Sequence, residues 1–324
     1  EMTGDRILLA EHFRRQVEKM AAGGDEIDGE ADATNTNCEE QDNHSLRYVN
    51  HIIRMTGSKT ATSLSSGGVD SSSSSADGAQ TKDGPIRLVV ISDTHGFEEE
   101  LTPKGTVLPR GDILLHLGDF AIDSSIKKKN KAIERFDAWL ARQPHRTKIV
   151  LRGNHDPFSV RFPKSNANFY SRPKSIAIDG QMTITLVPYC SPRNLSSSWR
   201  KLPMFCDVLA SHSPPNKILD KCYNGANAGC ASLRGKVERM IAGPPYLWVC
   251  GHIHESRGSK MVPFGISPRE TLVVNASNAD SGKASKIEYG AVVLDIDSEG
   301  NVSFVEGDGI IADQEKESIV AVAA

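Results

Sequence analysis

Short apolar runs separated by Gly, Pro and Asn dominate the chain from Pro85 onward. Each run is four to six residues long and rich in Val, Ile and Leu, a pattern that favours strands, several of them buried on both faces. We predict eight strands, at residues 86–91, 113–117, 148–151, 182–187, 207–210, 246–250, 271–274 and 291–296.

Two stretches between these runs have helical spacing. One helix is predicted to begin at Asn130, a good N-cap residue, with Ile133, Phe136 and Leu140 on one face. A second is predicted at 233–242, just before a Gly-Pro-Pro sequence. Alternation of strands and helices predicts an α/β fold with a largely parallel sheet.

The N-terminal quarter has a different composition. Residues 1–84 are acidic or rich in Ser and Gly, apart from a possible amphipathic helix at 5–20. Such segments bury too little apolar surface to offset chain entropy, so we expect the region to be largely disordered. We place one domain at 85–311 and a flexible tail at 312–324.

Overall charge and cysteine content narrow the class of protein. The 324 residues include 38 Lys and Arg against 41 Asp and Glu, a formal net charge of −3, so no nucleic-acid partner is expected. No stretch approaches the ~20 apolar residues that span a bilayer, so no membrane partner is expected either. The six cysteines form no C-x-x-C pair and are expected to be free thiols, which favours a cytoplasmic location. No sequence feature indicates an oligomeric state.

Polar residues follow five of the predicted strands at their carboxyl ends, where open α/β sheets bind ligands. They occur in the sequences I-S-D-T-H-G, H-L-G-D-F, L-R-G-N-H-D, L-A-S-H-S and C-G-H-I-H. The residues are Asp93, His95, Asp119, Asn154, His155, Asp156, His212, His252 and His254.

The donor atoms in this set suit metal coordination. Residues i and i+2 of extended backbone point to the same side, so Asp93 with His95, and His252 with His254, could each direct two donors to one place. Imidazole, carboxylate and amide donors without thiolate suit Mn, Fe, Zn or Ni. Taken alone, a histidine after a strand is more often a hydrogen-bonded edge residue, and Asp-Gly or Gly-Asn is ordinary turn chemistry. Because all five strand ends carry residues with metal-ligand donor atoms, the metal site is the favoured interpretation.

In this order, the motifs D-x-H, G-D, G-N-H-D, H and G-H-x-H resemble the calcineurin-like metallophosphoesterase superfamily. The resemblance covers about residues 86–296. It implies a layered α-β-β-α sandwich of two mostly parallel or mixed sheets flanked by helices.

The resemblance also implies a centre of two divalent transition-metal ions. It assigns Asp93, His95 and His254 to one metal, and Asn154, His212 and His252 to the other. Asp119 would bridge the two metals.

A hydroxide between the metals would attack phosphorus, and a general acid would protonate the leaving oxygen. The position of His155 in the motif resembles that of the family's general acid. We expect Asp156 to orient the His155 ring. The alternative for Asp156 is a turn residue before Pro157.

A closer resemblance, to the metallophosphoesterase-domain-containing group similar to class III cyclic-nucleotide phosphodiesterases, rests on K-I-V-L-R-G-N-H-D, S-H-S-P-P and V-C-G-H-I-H-E-S-R-G. It implies a manganese-type phosphodiesterase of small, nucleotide-like diesters such as cyclic nucleotides. Open alternatives are a non-catalytic scaffold of the same fold, a phosphomonoesterase and a nuclease. Weaker candidates for substrate contact are Arg193, Asn194, Ser213 and Asn275.

Overall fold

The computed structural model describes residues 84–121, 126–189, 202–203, 205–281 and 284–305. They form two six-stranded sheets. The first contains β1 (Ile86–Ile91), β2 (Ile113–His116), β3 (Thr147–Leu151), β4 (Asn168–Tyr170), β11 (Val292–Ile296) and β12 (Val302–Phe304). The second contains β5 (Lys174–Ile178), β6 (Met182–Val187), β7 (Val208–Ser211), β8 (Leu247–Cys250), β9 (Gly258–Pro263) and β10 (Glu270–Asn275).

Both sheets are mixed and have a parallel centre. The first has the order β12-β11-β1-β2-β3-β4, in which β1 to β4 are parallel and the pairings of β11 with β1 and β12 are antiparallel. The second has the order β5-β6-β7-β8-β10-β9, with antiparallel pairs only at its two ends. Parallel neighbours place the carboxyl ends of successive strands at one edge of each sheet, which is where the candidate site forms.

The side chains of each central strand alternate between two apolar layers. In β1, Leu88 and Val90 belong to the core shared by the two sheets, whereas Val89 and Ile91 belong to the outer layer under a helix. In β8, Val249 faces the shared core and Trp248 faces the other outer layer. The strands are therefore buried on both faces, as their continuous apolar runs predict.

One helix lies against the outer face of each sheet. Helix α1 (Ile126–Arg142) packs Phe136, Trp139 and Leu140 against the first sheet, and α2 (Ala231–Val237) packs Leu233 and Val237 against the second. The predicted α-β-β-α sandwich is thereby confirmed.

The predicted helix boundaries are wrong. Helix α1 begins four residues before Asn130. The apolar face of the helix determines that a helix forms, but the capping preference of a single Asn does not determine where the helix begins. Helix α2 is capped by Cys230, whose Sγ accepts from the Leu233 N–H at 3.4 Å, and it ends five residues before Ala242.

The eight predicted strands are confirmed within a residue or so, but four further strands were not predicted. These four, β4, β5, β9 and β12, are the outermost strands of the two sheets. The predicted helix at 5–20 and the tail at 312–324 lie outside the described residues. In the part of the chain that the structure describes, no helix has the length and apolarity needed to cross a membrane.

Candidate metal centre

Backbone hydrogen bonds join the turn after β1 to the turn after β2, and the turn after β7 to the turn after β8. The Asp93 and His95 amides donate to the carbonyl oxygens of Gly118 and Asp119, each at 2.9 Å. The Gly251 amide donates to the carbonyl oxygen of His212 at 2.9 Å. Hydrogen bonds that involve side chains connect these two pairs of turns, from the His252 amide to Asp93 Oδ2 at 2.8 Å and from His212 Nδ1 to the Leu117 carbonyl oxygen at 2.9 Å, so the predicted candidates meet at one place between the two sheets.

A first group of possible ligands contains Asp93, His95 and His254. Their donor atoms all lie within 4.8 Å of one another. Asp93 Oδ1 and His95 Nε2 are buried and have no hydrogen-bond partner among the described residues. Leaving a buried polar atom unsatisfied costs free energy, so two such atoms in one group indicate a site for a cation.

The other atoms of the first group are held by hydrogen bonds that point the free atoms inward. Asp93 Oδ2 accepts from the His252 amide at 2.8 Å and from the Ser277 hydroxyl at 2.9 Å. His254 Nδ1 lies 3.1 Å from the Asp280 carbonyl oxygen, to which only an N–H can donate. The neutral ring of His254 therefore presents the lone pair of Nε2, 3.5 Å from Asp93 Oδ1.

A second group contains Asp119, His212 and His252, again with donor atoms within 4.8 Å. His212 Nδ1 donates to the Leu117 carbonyl oxygen at 2.9 Å, so the neutral ring turns its Nε2 lone pair to the site. That nitrogen lies 3.0 Å from Asn154 Oδ1 and 3.5 Å from Asp119 Oδ2. Three electron-pair donors thus face one point, which fits a metal ion with Asn154 as an additional ligand.

The charges around both groups favour a cation. Burial alone raises the pKa of Asp93, but the His254 ring, when it carries a proton, outweighs burial and holds that pKa well below its usual value. Burial lowers the pKa of His212, but the Asp119 carboxylate outweighs it and raises that pKa to about 9. Without metal, each carboxylate therefore stabilises a protonated histidine beside it; a bound metal ion would supply that positive charge instead and leave the rings neutral.

The two groups are neighbours, since the backbone of Asp119 in one accepts a hydrogen bond from His95 in the other. Asp119 Oδ1 accepts from the His155 amide at 2.8 Å, while Oδ2 faces His212. The predicted bridging role of Asp119 is compatible with this position and stays a prediction.

The backbone of the site differs from the extended form that we assumed. Asp93, His95, Asp119 and His252 have φ values of 56°, 46°, 58° and 73°, in the left-handed region. The extended-backbone premise is therefore wrong for both pairs, although Asp93 and His95 do meet in one group as expected. His252 and His254 lie in different groups, as the family resemblance implies, because the turn at His252 directs the two rings apart and a 3-10 helix begins at His254.

Two glycines allow the turns to approach this closely. A Cβ atom on Gly251 would lie 2.1 Å from Ser92 Oγ and 2.5 Å from Asp93 Oδ2. One on Gly153 would lie 2.1 Å from Asp119 Oδ1. Any larger residue would displace a candidate ligand.

His155 stands beside both groups and belongs to neither. Its ring packs edge-on against His95, with centroids 5.3 Å apart, and it is partly exposed. This is a suitable place for the predicted general acid, which must reach the substrate without being a metal ligand.

The structure gives Asp156 a different role from the predicted orientation of the His155 ring. Its carboxylate accepts from the backbone amides of Asp119 at 2.7 Å, Gly153 at 2.8 Å and Ala121 at 3.0 Å. Asp156 therefore ties the turn after β3 to the turn after β2. No hydrogen bond joins this carboxylate to the His155 ring among the described residues, so the predicted orientation of that ring stays a prediction.

The structure bears differently on the four residues predicted to contact substrate. Asn275 is fully buried and donates to the carbonyl oxygens of Leu219 and Ile253, so its position does not favour a substrate contact. Ser213 is buried next to His212, and its contact with substrate stays a prediction. Arg193 and Asn194 lie outside the described residues.

Sequence reasoning missed the supporting roles of two residues of the site. Ser277 donates to Asp93, and a serine after a strand carries no signal that would distinguish it from a turn residue. Tyr189 packs its ring edge-on against His212 and His252, at centroid distances of 5.7 and 5.3 Å. Its place directly after β6, at the same edge of the sheet as His212, is the signal that could have found it.

Sequence comparison agrees with this geometry. The profile of the calcineurin-like phosphoesterase family matches residues 86–256, more than half of the chain. The chain belongs to this family. Family membership supports a metal-dependent phosphoester hydrolase, with two groups of side chains that could hold divalent metal ions.

Individual relatives are similar over part of their length. Metallophosphoesterase domain-containing protein 1 of Homo sapiens is 29% identical over 60% of this chain and 66% of its own. The probable rhamnogalacturonate lyase C of Emericella nidulans is 31% identical over 59% of this chain, which spans only 19% of that protein. A metallophosphoesterase from Sphaerobacter thermophilus aligns over 70% of this chain and 88% of its own, with 14% identity and a TM-score of 0.32.

Proposed function

We propose that this phosphoesterase is a dinuclear phosphodiesterase that hydrolyses small, nucleotide-like phosphate diesters such as cyclic nucleotides. The observation that carries the proposal is that Asp93 Oδ1 and His95 Nε2, in the group completed by His254, are buried without a hydrogen-bond partner among the described residues. In the neighbouring group, His212 Nε2 faces Asn154 Oδ1 and Asp119 Oδ2. His155 borders the first group.

Divalent metals held by these side chains would polarise the phosphoryl oxygens and make water a nucleophile at neutral pH. The metal set would be Asp93, His95 and His254 on one side and Asn154, His212 and His252 on the other, with Asp119 between them. The donor atoms suit Mn, Fe, Zn or Ni, and we propose manganese as the first metal to test.

The protein's own part in the reaction is to hold the diester and to move a proton. Hydrolysis breaks one P–O ester bond, and the leaving oxygen needs a proton. His155, whose backbone amide is fixed by Asp119 Oδ1, would donate that proton from its ring. A group that acts in this way contributes about 10²–10⁴-fold to the rate.

The test is hydrolysis of bis(p-nitrophenyl) phosphate with Mn²⁺, Fe²⁺, Zn²⁺ or Ni²⁺, followed by the same assay on 3′,5′-cyclic AMP and p-nitrophenyl phosphate. We expect turnover of the diesters to exceed that of the monoester. His155→Ala should lower kcat by at least about 100-fold while two metals still bind. Asp119→Asn should weaken the binding of both metals.

Asp295→Asn is the matched control for the charge change. Asp295 pairs with Arg87 at 2.8 Å in the antiparallel part of the first sheet, and its loss should leave kcat unchanged. The proposal fails if no metal supports turnover of any diester, or if His155→Ala retains full activity. Two bound metals without turnover would instead favour a scaffold, and preference for the monoester would favour a phosphomonoesterase.

A further inference from the structure

A cluster of two arginines and a phenylalanine adjoins the candidate site and is assigned no role by the family motifs. Phe158 follows His155 by three residues and is 58% exposed. The guanidinium carbons of Arg152 and Arg172 lie 5.6 and 5.9 Å from the centre of its ring. One exposed aromatic residue is common on protein surfaces, but one that gathers two cations beside a catalytic turn is not explained by chance exposure.

Neither arginine has a carboxylate partner among the described residues, in contrast to three other arginines of the chain. Arg87, Arg142 and Arg234 each pair with a carboxylate, at 2.6 to 2.8 Å. No carboxylate among the described residues pairs with Arg152 or Arg172, and Arg152 Nε is buried without a hydrogen-bond partner. Both guanidinium groups lie within 6 Å of one ring centre, so they are at most about 12 Å apart. An anion bound beside Phe158 would lie close to two positive charges that have no carboxylate partner among the described residues.

Backbone contacts connect this cluster to the candidate metal ligands. Arg152 precedes Asn154 by two residues, and its carbonyl oxygen accepts from the Tyr189 amide at 2.8 Å. The Tyr189 ring packs on His212 and His252 of the second group. Arg172 follows β4, whose last carbonyl oxygen, on Tyr170, accepts from the Arg152 amide at 2.9 Å. The cluster therefore adjoins the turn that carries Asn154 and His155, and His155 is the predicted proton donor to the leaving group.

We infer that Arg152, Phe158 and Arg172 bind a second phosphate carried by the leaving group of the substrate. The inference rests on the proposed phosphodiesterase function and narrows its substrate class, from small diesters in general to those whose leaving group is itself a phosphorylated nucleoside. Guanidinium groups bind phosphate through charge-assisted hydrogen bonds, and the Phe158 ring limits the access of water to them.

The activity test compares the dinucleotide TpT with pTpT and TpTp, which add a phosphate at either end. We expect the wild-type protein to hydrolyse at least one phosphorylated form with a kcat/KM about tenfold above that of TpT. Arg172→Ala should remove this preference, mainly through KM, and leave TpT hydrolysis within twofold of wild type. Arg172 is exposed, so the variant should fold.

Arg161→Ala is the matched control, because Arg161 is an exposed arginine in the segment that follows Phe158 and has no recorded contact with this cluster. It should keep the preference. An equal loss for all three dinucleotides in Arg172→Ala, or the same change in Arg161→Ala, would overturn the inference, since it would indicate a structural or a general electrostatic effect.

Binding of thymidine 3′,5′-bisphosphate separates this inference from the proposed function. By calorimetry, wild-type protein should bind the bisphosphate about tenfold more tightly than thymidine 5′-phosphate, and Arg172→Ala should bind the two alike. A preference for the bisphosphate in a protein that hydrolyses no diester would refute the proposed function and keep the subsite. Turnover of TpT without any preference in either assay would refute the subsite alone.

Discussion

Ser277→Ala should weaken metal binding without unfolding the protein. Ser277 is fully buried, and its hydroxyl lies 2.9 Å from Asp93 Oδ2 and 2.9 Å from Asn275 Oδ1. Its single proton can serve only one of them at a time, and the charged carboxylate is the stronger acceptor. In the variant, Asn275 Oδ1 keeps the backbone amide of residue 277 at 3.1 Å, so the change leaves no orphaned amide oxygen.

The magnitude follows from the one hydrogen bond that is lost. That hydrogen bond is present without metal, so its strength does not enter the Kd directly; the loss of a group that orients a ligating carboxylate lowers metal affinity by about 10–100-fold. Asp93 Oδ2 would keep the His252 amide at 2.8 Å, and a carboxylate with one donor fewer is a slightly stronger base toward metals. Both effects reduce the loss, so we expect a Kd raised about tenfold.

Competition with a chromophoric chelator measures this Kd for Mn²⁺ or Zn²⁺, and urea unfolding in excess chelator measures the stability of the metal-free protein. Ser175→Ala is the control, because it also removes a side-chain hydrogen bond, to Thr185 at 3.0 Å, on an outer strand of the second sheet away from the candidate ligands. An unchanged metal Kd in Ser277→Ala, together with reduced stability of the metal-free protein, would show that Ser277 supports only the fold and would refute this reasoning.

Three other changes test the same structure. Gly251→Ala places a Cβ atom 2.1 Å from Ser92 Oγ and should abolish metal binding at the first group. Gly84→Ala, where nothing lies within 4 Å of the added Cβ atom, should leave metal binding unchanged. Equal metal Kd values for the two variants would contradict the packing argument. His145→Gln should flatten the fall in unfolding free energy between pH 6.5 and 4, because burial lowers the pKa of His145 to about 4, so the unfolded chain takes up its proton first as the pH falls. Urea unfolding at several pH values measures this slope, and an unchanged slope would count against it. Excess chelator should abolish diester hydrolysis and lower the Tm. Metal at 100 times its Kd adds about 2.7 kcal/mol to the free energy of unfolding, and chelation removes that contribution. An unchanged Tm would mean that no metal was bound.

The central strands could be predicted from the sequence and the outer strands could not, for one physical reason. Runs such as 86–91 and 247–250 are buried on both faces, so nearly every position is apolar and the signal is strong. The four missed strands occupy the four edges of the two sheets. In β5 and β9 exposed and partly buried residues are mixed, and only Val262 is buried, so neither strand has a continuous apolar run. An edge strand is held mainly by pairing with its neighbour and needs less burial of its own side chains.

The order of motifs along the chain identified which residues would meet, but the reason first given for their meeting does not hold. Extended backbone would have sent His252 and His254 to the same place, and the structure sends them to separate groups. Left-handed turns at Asp93, Asp119 and His252 achieve this, and for residues other than glycine such turns cost free energy. Hydrogen bonds offset that cost: Gly118 accepts from Asp93, Asp156 accepts from the amide of Asp119, and Asp93 accepts from the amide of His252.

These bonds join residues that are up to 159 positions apart in the sequence, so no local pattern could have predicted them. They also explain why the carboxylate of Asp93 has two distinct ends. Oδ2 fixes the turn of another candidate ligand, and Oδ1 is left free to face His254. One aspartate thus supports the backbone of the second group while it offers a donor atom to the first. For this reason a substitution at Asp93 should disturb both groups, although only one of them contains it.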